Sequence, residues 1–181
     1  MRFFIKRKVD VQEILLKRAY DRFLQEQHEA LRFLITRTED ALDLPLPKRQ
    51  TPGAACLDLH ANIHKPVCIK KGKRVLIPTG IKIALPIGYE AQVRPRSGLA
   101  FNFGITVLNT PGTVDADYRG ELKALLINLG DEDFIVQRGD RIAQMLVAKV
   151  EMAEFYEADN LPESLRGEGG YGSTGVTARE N

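Results

Sequence analysis

Hydrophobic positions follow two different rhythms along this chain. From Asp10 to Ala41, the residues Val11, Leu15, Ala19, Phe23, Ala30, Leu31 and Leu34 recur mostly at intervals of three and four, the period of one helical face. Asp10 followed by Glu13 resembles a capping box, in which a carboxylate accepts the first free amide protons. No Gly or Pro stands between Met1 and Leu44 to interrupt the pattern. The spacing therefore predicts a helix over Asp10–Ala41, which at roughly thirty residues would reach about 45 Å. A helix of that length needs support, either by folding back or by packing on another subunit. Ahead of it, Phe3 to Ile5 form an apolar run flanked by Arg2, Lys6, Arg7 and Lys8, and predict a first strand.

From Pro45 the rhythm shortens. Pro45, Pro47, Pro52 and Gly53 mark an extended approach. Apolar or alternating runs follow at Arg74–Ile77, Ile81–Leu85, Glu90–Arg94, Ile105–Leu108, Leu122–Asn128, Phe134–Gln137, Ile142–Val150 and Glu154–Tyr156. Gly, Pro, Asn and Asp divide them at short intervals, which predicts an all-β, jelly-roll-like barrel or sandwich of about eight to ten strands. From Leu161 the chain turns Gly-rich and polar, and is expected to be mobile without a ligand. The expected organisation is a single β domain over 1–165 with a helical insert at about 10–41, and a glycine-rich tail over 166–181.

Composition narrows the function classes. A chain of 181 residues holds one full hydrophobic core, and 44% apolar with 28% charged residues is ordinary for a soluble globular protein. A formal charge of +2 is too small for general nucleic-acid binding. Anion binding must therefore come from local clusters of Arg and Lys. Cys56 and Cys68 fall in no metal-type spacing and read as reduced thiols. The N-terminus lacks the apolar core of a signal peptide, and no apolar run is long enough to span a bilayer. A soluble cytoplasmic protein, with neither nucleic acid nor membrane as partner, is the expectation.

Three segments carry more chemistry than a connection needs. Arg94-Pro95-Arg96-Ser97-Gly98-Leu99-Ala100 ends a strand in two arginines, a hydroxyl and a glycine. Arg offers a fork of donors to phosphate oxygens, Ser adds one, and Gly lets backbone amides approach. Asn109 to Glu121 holds Pro111-Gly112 in a β context, which reads as a hairpin. It also carries Asp115 and Asp117, either turn formers or acids able to hold a metal-bound or attacking water. Arg166 to Gly175 has four glycines in its first seven residues, with Arg166, Ser173 and Thr174 as donors and Tyr171 as an aromatic face. Such a loop presents backbone N–H groups to phosphates, but it lacks the Gly-Lys-Ser/Thr pattern of a P-loop. Taken alone, the first two segments read sooner as solvated arginines at a strand end and as turn formers, and the third equally as a flexible tail. Together they point to a nucleoside polyphosphate ligand with metal assistance, and residue chemistry stops there.

In these segments the sequence resembles the trimeric dUTP pyrophosphatase family, over Pro45 to Gly175. Five family motifs stand in order: Ala54-Ala55-Cys56-Leu57-Asp58-Leu59, Arg96-Ser97-Gly98, Gly112 to Glu121, Arg138-Gly139-Asp140-Arg141-Ile142-Ala143-Gln144, and Arg166 to Gly175. The resemblance implies hydrolysis of dUTP to dUMP and pyrophosphate, which limits uracil incorporation into DNA and supplies the dTMP precursor. It implies Mg2+, held chiefly by the triphosphate, and a homotrimer whose active sites are shared between subunits.

The residue roles it implies are these. Asp115 is the general base for water attacking the α-phosphorus. Arg96, Ser97 and Gly98 bind the phosphates, Gln144 acts near the α-phosphate, and Asp58 is the acid linked to Mg2+ through bound water. Asn109 with the backbone around Thr113 and Val114 pairs with the uracil edge, and Lys123 contributes to that pocket. Tyr118 lies against the deoxyribose and excludes a 2′-hydroxyl. Arg166 closes on the γ-phosphate with Ser173 and Thr174, and Tyr171 stacks on uracil.

Two residues depart from the common pattern: Cys56 stands where the first motif usually has Gly, and Tyr171 where the last usually has Phe. The helical segment is unexplained by the resemblance. It reads as a packing element of the trimer, a docking site for another protein, or a dispensable addition. Two other functions fit the residues less well. A dCTP deaminase should lack both the glycine-rich tail and the Asp115–Tyr118 hairpin. A purely regulatory binding protein would not need Asp115, Ser97, Arg166 and Tyr118 together.

Overall fold

A computed structural model of the chain describes residues 17–18 and 31–170. The chain divides into two units, Met1–Val150 and Glu151–Asn181. The described part of the first is built mainly of β-strands. Its strands are β1 (Leu34–Arg37), β2 (Leu57–His60), β3 (Val67–Ile69), β4 (Arg74–Pro78), β5 (Ile81–Ala84), β6 (Tyr89–Arg94), β7 (Ile105–Val107), β8 (Gly112–Val114), β9 (Lys123–Asn128), β10 (Phe134–Val136) and β11 (Arg141–Lys149), with one helix, α1 (Ser97–Phe103). No described helix is long and apolar enough to cross a membrane.

The strands form a four-stranded sheet in the order β2-β11-β6-β8, a three-stranded sheet β4-β9-β7, and the pairs β1-β5 and β3-β10. All pairings are antiparallel. The alternation of the sequence explains which face each strand buries. Along β9, Ala124, Leu126 and Asn128 are buried while Leu125 and Ile127 are not, as a period of two requires. Leu59, Ala91, Val93, Ala143 and Met145 of the four-stranded sheet share one core cluster with Ile77, Ile105, Val107, Ala124 and Leu126 of the three-stranded sheet. Fully burying each large aliphatic side chain is worth about 1.5–3 kcal/mol, so this cluster holds the fold. Asn128 is buried without penalty. Its amide donates to the carbonyls of Ile69 and Glu132, each at 2.8 Å, and its oxygen accepts the Gly130 N–H at 2.9 Å.

Two expected elements are corrected. The helix predicted through Ala41 does not reach that far. Leu34–Arg37 is strand β1, paired with β5 in the register Leu34↔Ala84 to Arg37↔Ile81, and Glu39–Ala41 is a 3-10 turn. Ile35, Thr36 and Thr38 are β-branched and favour the pleated conformation. Leu34 had completed the helical stripe, yet it lies on the exposed face of β1 at 76% exposure. Residues 17–18 are helical; the rest of the predicted helix before Leu31, and the strand predicted at Phe3–Ile5, lie outside the described residues. The strand predicted at Glu154–Tyr156 is also absent. Residues 154–156 take no strand conformation. Conversely, β2, β3 and β8 are strands that the alternation did not announce.

Candidate active site

The outer face of the four-stranded sheet carries a polar row. Asp58 on β2 lies opposite Gln144 on β11, which lies opposite Arg94 on β6. A register shift on β11 between Arg141 and Ala143 turns Arg141 toward Asp58. The Asp58 carboxylate is buried, and it sits between two guanidinium groups, with Arg96 Nε at 3.3 Å and Arg141 Nη1 at 3.1 Å. Arg96 also donates to the Arg141 carbonyl at 2.9 Å. Gln144 Nε2 donates to the Pro95 carbonyl at 2.8 Å, fixing the turn that leads from β6 into α1. These contacts hold two cations side by side with one anion between them. Such a cluster retains net positive charge and suits a polyphosphate.

Ser97 and Gly98 open α1, both exposed. A Cβ built on Gly98 would meet nothing within 4 Å, so a ligand could approach the backbone there. The far end of α1 is closed by Gly104, whose φ of +66° is left-handed and whose absent Cβ would lie 2.3 Å from the Gly130 nitrogen. His60, opposite Arg141 across β2 and β11, has its pKa lowered. Burial is the main cause, partly opposed by Asp58 and reinforced by Arg141, Arg96 and Lys48.

The hairpin segment, over 109–121, forms a second group, but it is a connection between two sheets rather than the pair of bonded strands expected: β8 pairs with β6, and β7 with β9. Asn109 lies against Gly112, where a Cβ would come within 2.9 Å of the Asn109 amide nitrogen. Thr113 pairs with Gln92 and Val114 with Ala91. A tight turn follows, with the Tyr118 N–H donating to the Asp115 carbonyl at 3.2 Å. Asp115 is exposed, and Tyr118 is 46% exposed. Lys123, exposed at the start of β9, belongs to the three-stranded sheet and is separate from the polar row.

The two groups do not converge within one chain. β8 runs antiparallel to β6, with Gly112 opposite Val93 and Val114 opposite Ala91. Asp115 therefore continues past the beginning of that pairing along β6, whereas Arg96 lies past its end. Arg94 and Ala91 alone are about 10 Å apart at the usual strand rise. Arg166 belongs to the second unit, where its Nε donates to the Gly169 carbonyl at 2.7 Å. Tyr171, Ser173 and Thr174 lie outside the described residues. Sequence reasoning gave Arg141 no role although it stood within a quoted motif; only the strand register turns it onto Asp58. It also passed over Gln92, whose side chain accepts from Arg94 Nε at 3.0 Å and donates to Glu90 at 2.6 Å.

Two arginines held on a buried carboxylate of one β-sheet, with an exposed acid and tyrosine in a separate segment, mark a β protein with a cluster suited to an anionic ligand. Residues 43–175 match the family model for dUTPase. The deoxyuridine 5'-triphosphate nucleotidohydrolase of Thermoanaerobacter sp. (strain X514) is 54% identical over 142 residues, covering 78% of this chain and 96% of that protein. The chain belongs to the dUTPase family. Among solved structures, the Staphylococcus bacteriophage 80alpha dUTPase with dUPNHPP has the same fold, with a TM-score of 0.72 at 20% identity, covering 80% of this chain and 99% of that one. So does a mutant dUTPase of phage phi11 of S. aureus, described with a structural Mg(II) ion, with a TM-score of 0.62 at 17% identity, covering 72% and 99%.

Proposed function

We propose that the chain hydrolyses dUTP to dUMP and pyrophosphate with Mg2+ assistance, at sites completed between the copies of a homotrimer. The observation that carries this reading is the division of the site. The Arg96–Asp58–Arg141 cluster lies at one end of β6, and the segment that follows β8, toward the other end, holds Asp115 and Tyr118. A second copy brings an acid hairpin to the anion cluster that its own chain leaves apart. An apolar outer face supports the assembly: on the three-stranded sheet Leu76 lies opposite Leu125, and Ile127 beside Thr106, with Leu76 and Leu108 about half exposed. Three copies related by cyclic symmetry would cover such faces.

The chemistry follows from the residues. Arg96 and the Ser97 hydroxyl, with the Gly98 N–H, donate to the phosphate oxygens, and Gln144 donates near the α-phosphate. Asp115 holds a water in line with the α-phosphorus and takes its proton as the oxygen attacks. The Pα–O bond to the leaving pyrophosphate breaks, and Arg166 with Ser173 and Thr174 neutralises charge on the distal phosphates. Asn109 and the backbone of Thr113 and Val114 read the uracil edge. Lys123 borders that pocket, Tyr171 stacks on the base, and Tyr118 faces the sugar. An analogue with the wrong donors leaves buried polar groups unpaired, which makes rejection strong.

Among the described residues no three His, Cys, Asp or Glu side chains converge as metal ligands, and Asp58 already lies between two guanidinium groups. That donor set fits an ion that would arrive on the triphosphate, and Asp58 is the residue that would hold it through water. Mg2+ prefers oxygen ligands and keeps several waters. When bound, it supplies charge neutralisation at the phosphates.

The test is pyrophosphate release from dUTP, dTTP, dCTP and UTP with and without Mg2+. Release from dUTP alone, dependent on Mg2+, is expected. Ammonia from dCTP with no pyrophosphate from dUTP would overturn the reading.

A further inference from the structure

We propose that Gly120 is a specificity-positioning residue: its missing side chain is the shelf on which the Tyr118 ring lies, and so sets the discrimination between deoxyribose and ribose nucleotides. The inference rests on the dUTP reading above and assigns the control of its sugar selection.

Tyr118 is 46% exposed, so surrounding core does not fix its ring. What fixes it is local. Its hydroxyl donates to the Glu121 carbonyl at 3.2 Å, and its backbone N–H donates to the Asp115 carbonyl at 3.2 Å. Arg119 clips the same turn, its Nη1 donating to the Ala116 carbonyl at 2.6 Å and the Tyr118 carbonyl at 2.9 Å. Glu121 is anchored in turn, because its side chain accepts the Gly80 N–H at 2.7 Å. The carbonyl that receives the tyrosine hydroxyl therefore belongs to a residue tied to the turn between β4 and β5.

Gly120 stands between the ring and that anchor. A Cβ there would lie 2.2 Å from the Tyr118 hydroxyl oxygen, 2.4 Å from Cζ and 2.9 Å from Cε2. No L side chain fits at those distances. Gly120 lies outside the left-handed region, so the requirement for glycine is the contact and not the backbone angle. The atoms that a Cβ would strike are the far end of a side chain rather than backbone. Gly120→Ala therefore moves the ring and breaks its hydroxyl contact while the turn and its Arg119 clip persist. A ring that selects a sugar by steric exclusion is sensitive to such a shift, since misplacement of a positioned group by about 1 Å can cost on the order of 100-fold.

The experiment compares kcat/KM for dUTP and UTP in the full chain, in Gly120→Ala, in Tyr118→Ala and in the double variant. Gly53→Ala serves as a control, because a Cβ at Gly53 meets nothing within 4 Å. Gly120→Ala is expected to lower the preference for dUTP over UTP by about tenfold or more. In the Tyr118→Ala background the same change should lower it no further, because Gly120 acts through the ring. Tyr118→Phe, which leaves the backbone untouched and loses only the anchor to Glu121, should lower the preference in the same direction. An unchanged preference in Gly120→Ala or Tyr118→Phe overturns the inference, as does an equal loss with and without the ring. Absence of dUTP turnover by the unaltered chain would instead overturn the function on which the inference rests.

Discussion

The anion cluster and the acid hairpin are built to different standards of rigidity. Asp58 is buried and engages two arginines, Arg96 is tied to a β11 carbonyl, and Gln144 is tied to the Pro95 carbonyl. The hairpin exposes Asp115 and half of Tyr118, and its stability rests on turn hydrogen bonds. Charges that must be held near one another need mutual support, because each arginine alone would drift from its position. On the proposed reading, a base that meets its water only between copies needs to be presented, not enclosed. The contrast is that of a preorganised cluster of charge and a side chain left open to its surroundings.

The largest expected effect tests the hairpin. Asp115→Asn removes the proton acceptor while keeping shape, so turnover should fall by about 100- to 10,000-fold with nucleotide binding retained; single-turnover kinetics with a binding titration measures both. Near-normal turnover would mean that the base is elsewhere. The next tests the cluster. Asp58→Ala leaves Arg96 and Arg141 without the anion that orients them, and kcat/KM for dUTP should drop by roughly 100-fold. A loss under threefold in steady-state assays would show that the arginines hold their places unaided.

A smaller change in chemistry, with a clear physical readout, concerns the apolar face. Leu76→Lys places a charge opposite Leu125 and should reduce the mass in solution from that of the proposed trimer to that of a monomer, measured by light scattering. The smallest effect concerns His60. Its folded pKa lies below the usual 6.5, so burial favours the neutral ring. Stability associated with it is present above the unfolded value and is lost as pH falls through the folded one. Urea midpoints taken from about pH 7 to about pH 5 should decline less steeply in His60→Gln. Identical slopes would show that the strain of burial is not felt at His60.

Much of the site was legible because its chemistry is written in short spans. Arg96-Ser97-Gly98 and the run from Gly112 to Glu121 each declare donors, acids and turns within a few residues, and the glycine-rich tail declares a phosphate-binding composition. What escaped reading lies between spans. Arg141 meets Asp58 only because β11 shifts register beside β2. Tyr118 rests on Gly120 through a contact of the folded turn. The helical period misled at Leu34 because an exposed leucine of an edge strand fits a helical stripe as well as a buried one does; Ile35, Thr36 and Thr38 were the better signal. Strand β8 escaped because Pro111-Gly112 reads as the turn of a hairpin, whereas Gly112 already lies in a strand opposite Val93 of β6. The motif order marked the halves of the site, but their separation along β6 is a matter of register.

That separation is the centre of the account, and co-expression of two inactive chains tests it most directly. Chains carrying Arg96→Ala keep an intact hairpin, and chains carrying Asp115→Asn keep an intact anion cluster. Mixed assemblies isolated through two different tags are predicted to recover dUTP turnover well above either variant alone, because one site then takes its cluster from one copy and its hairpin from another. Mixed assemblies as inactive as the parent variants would contradict it.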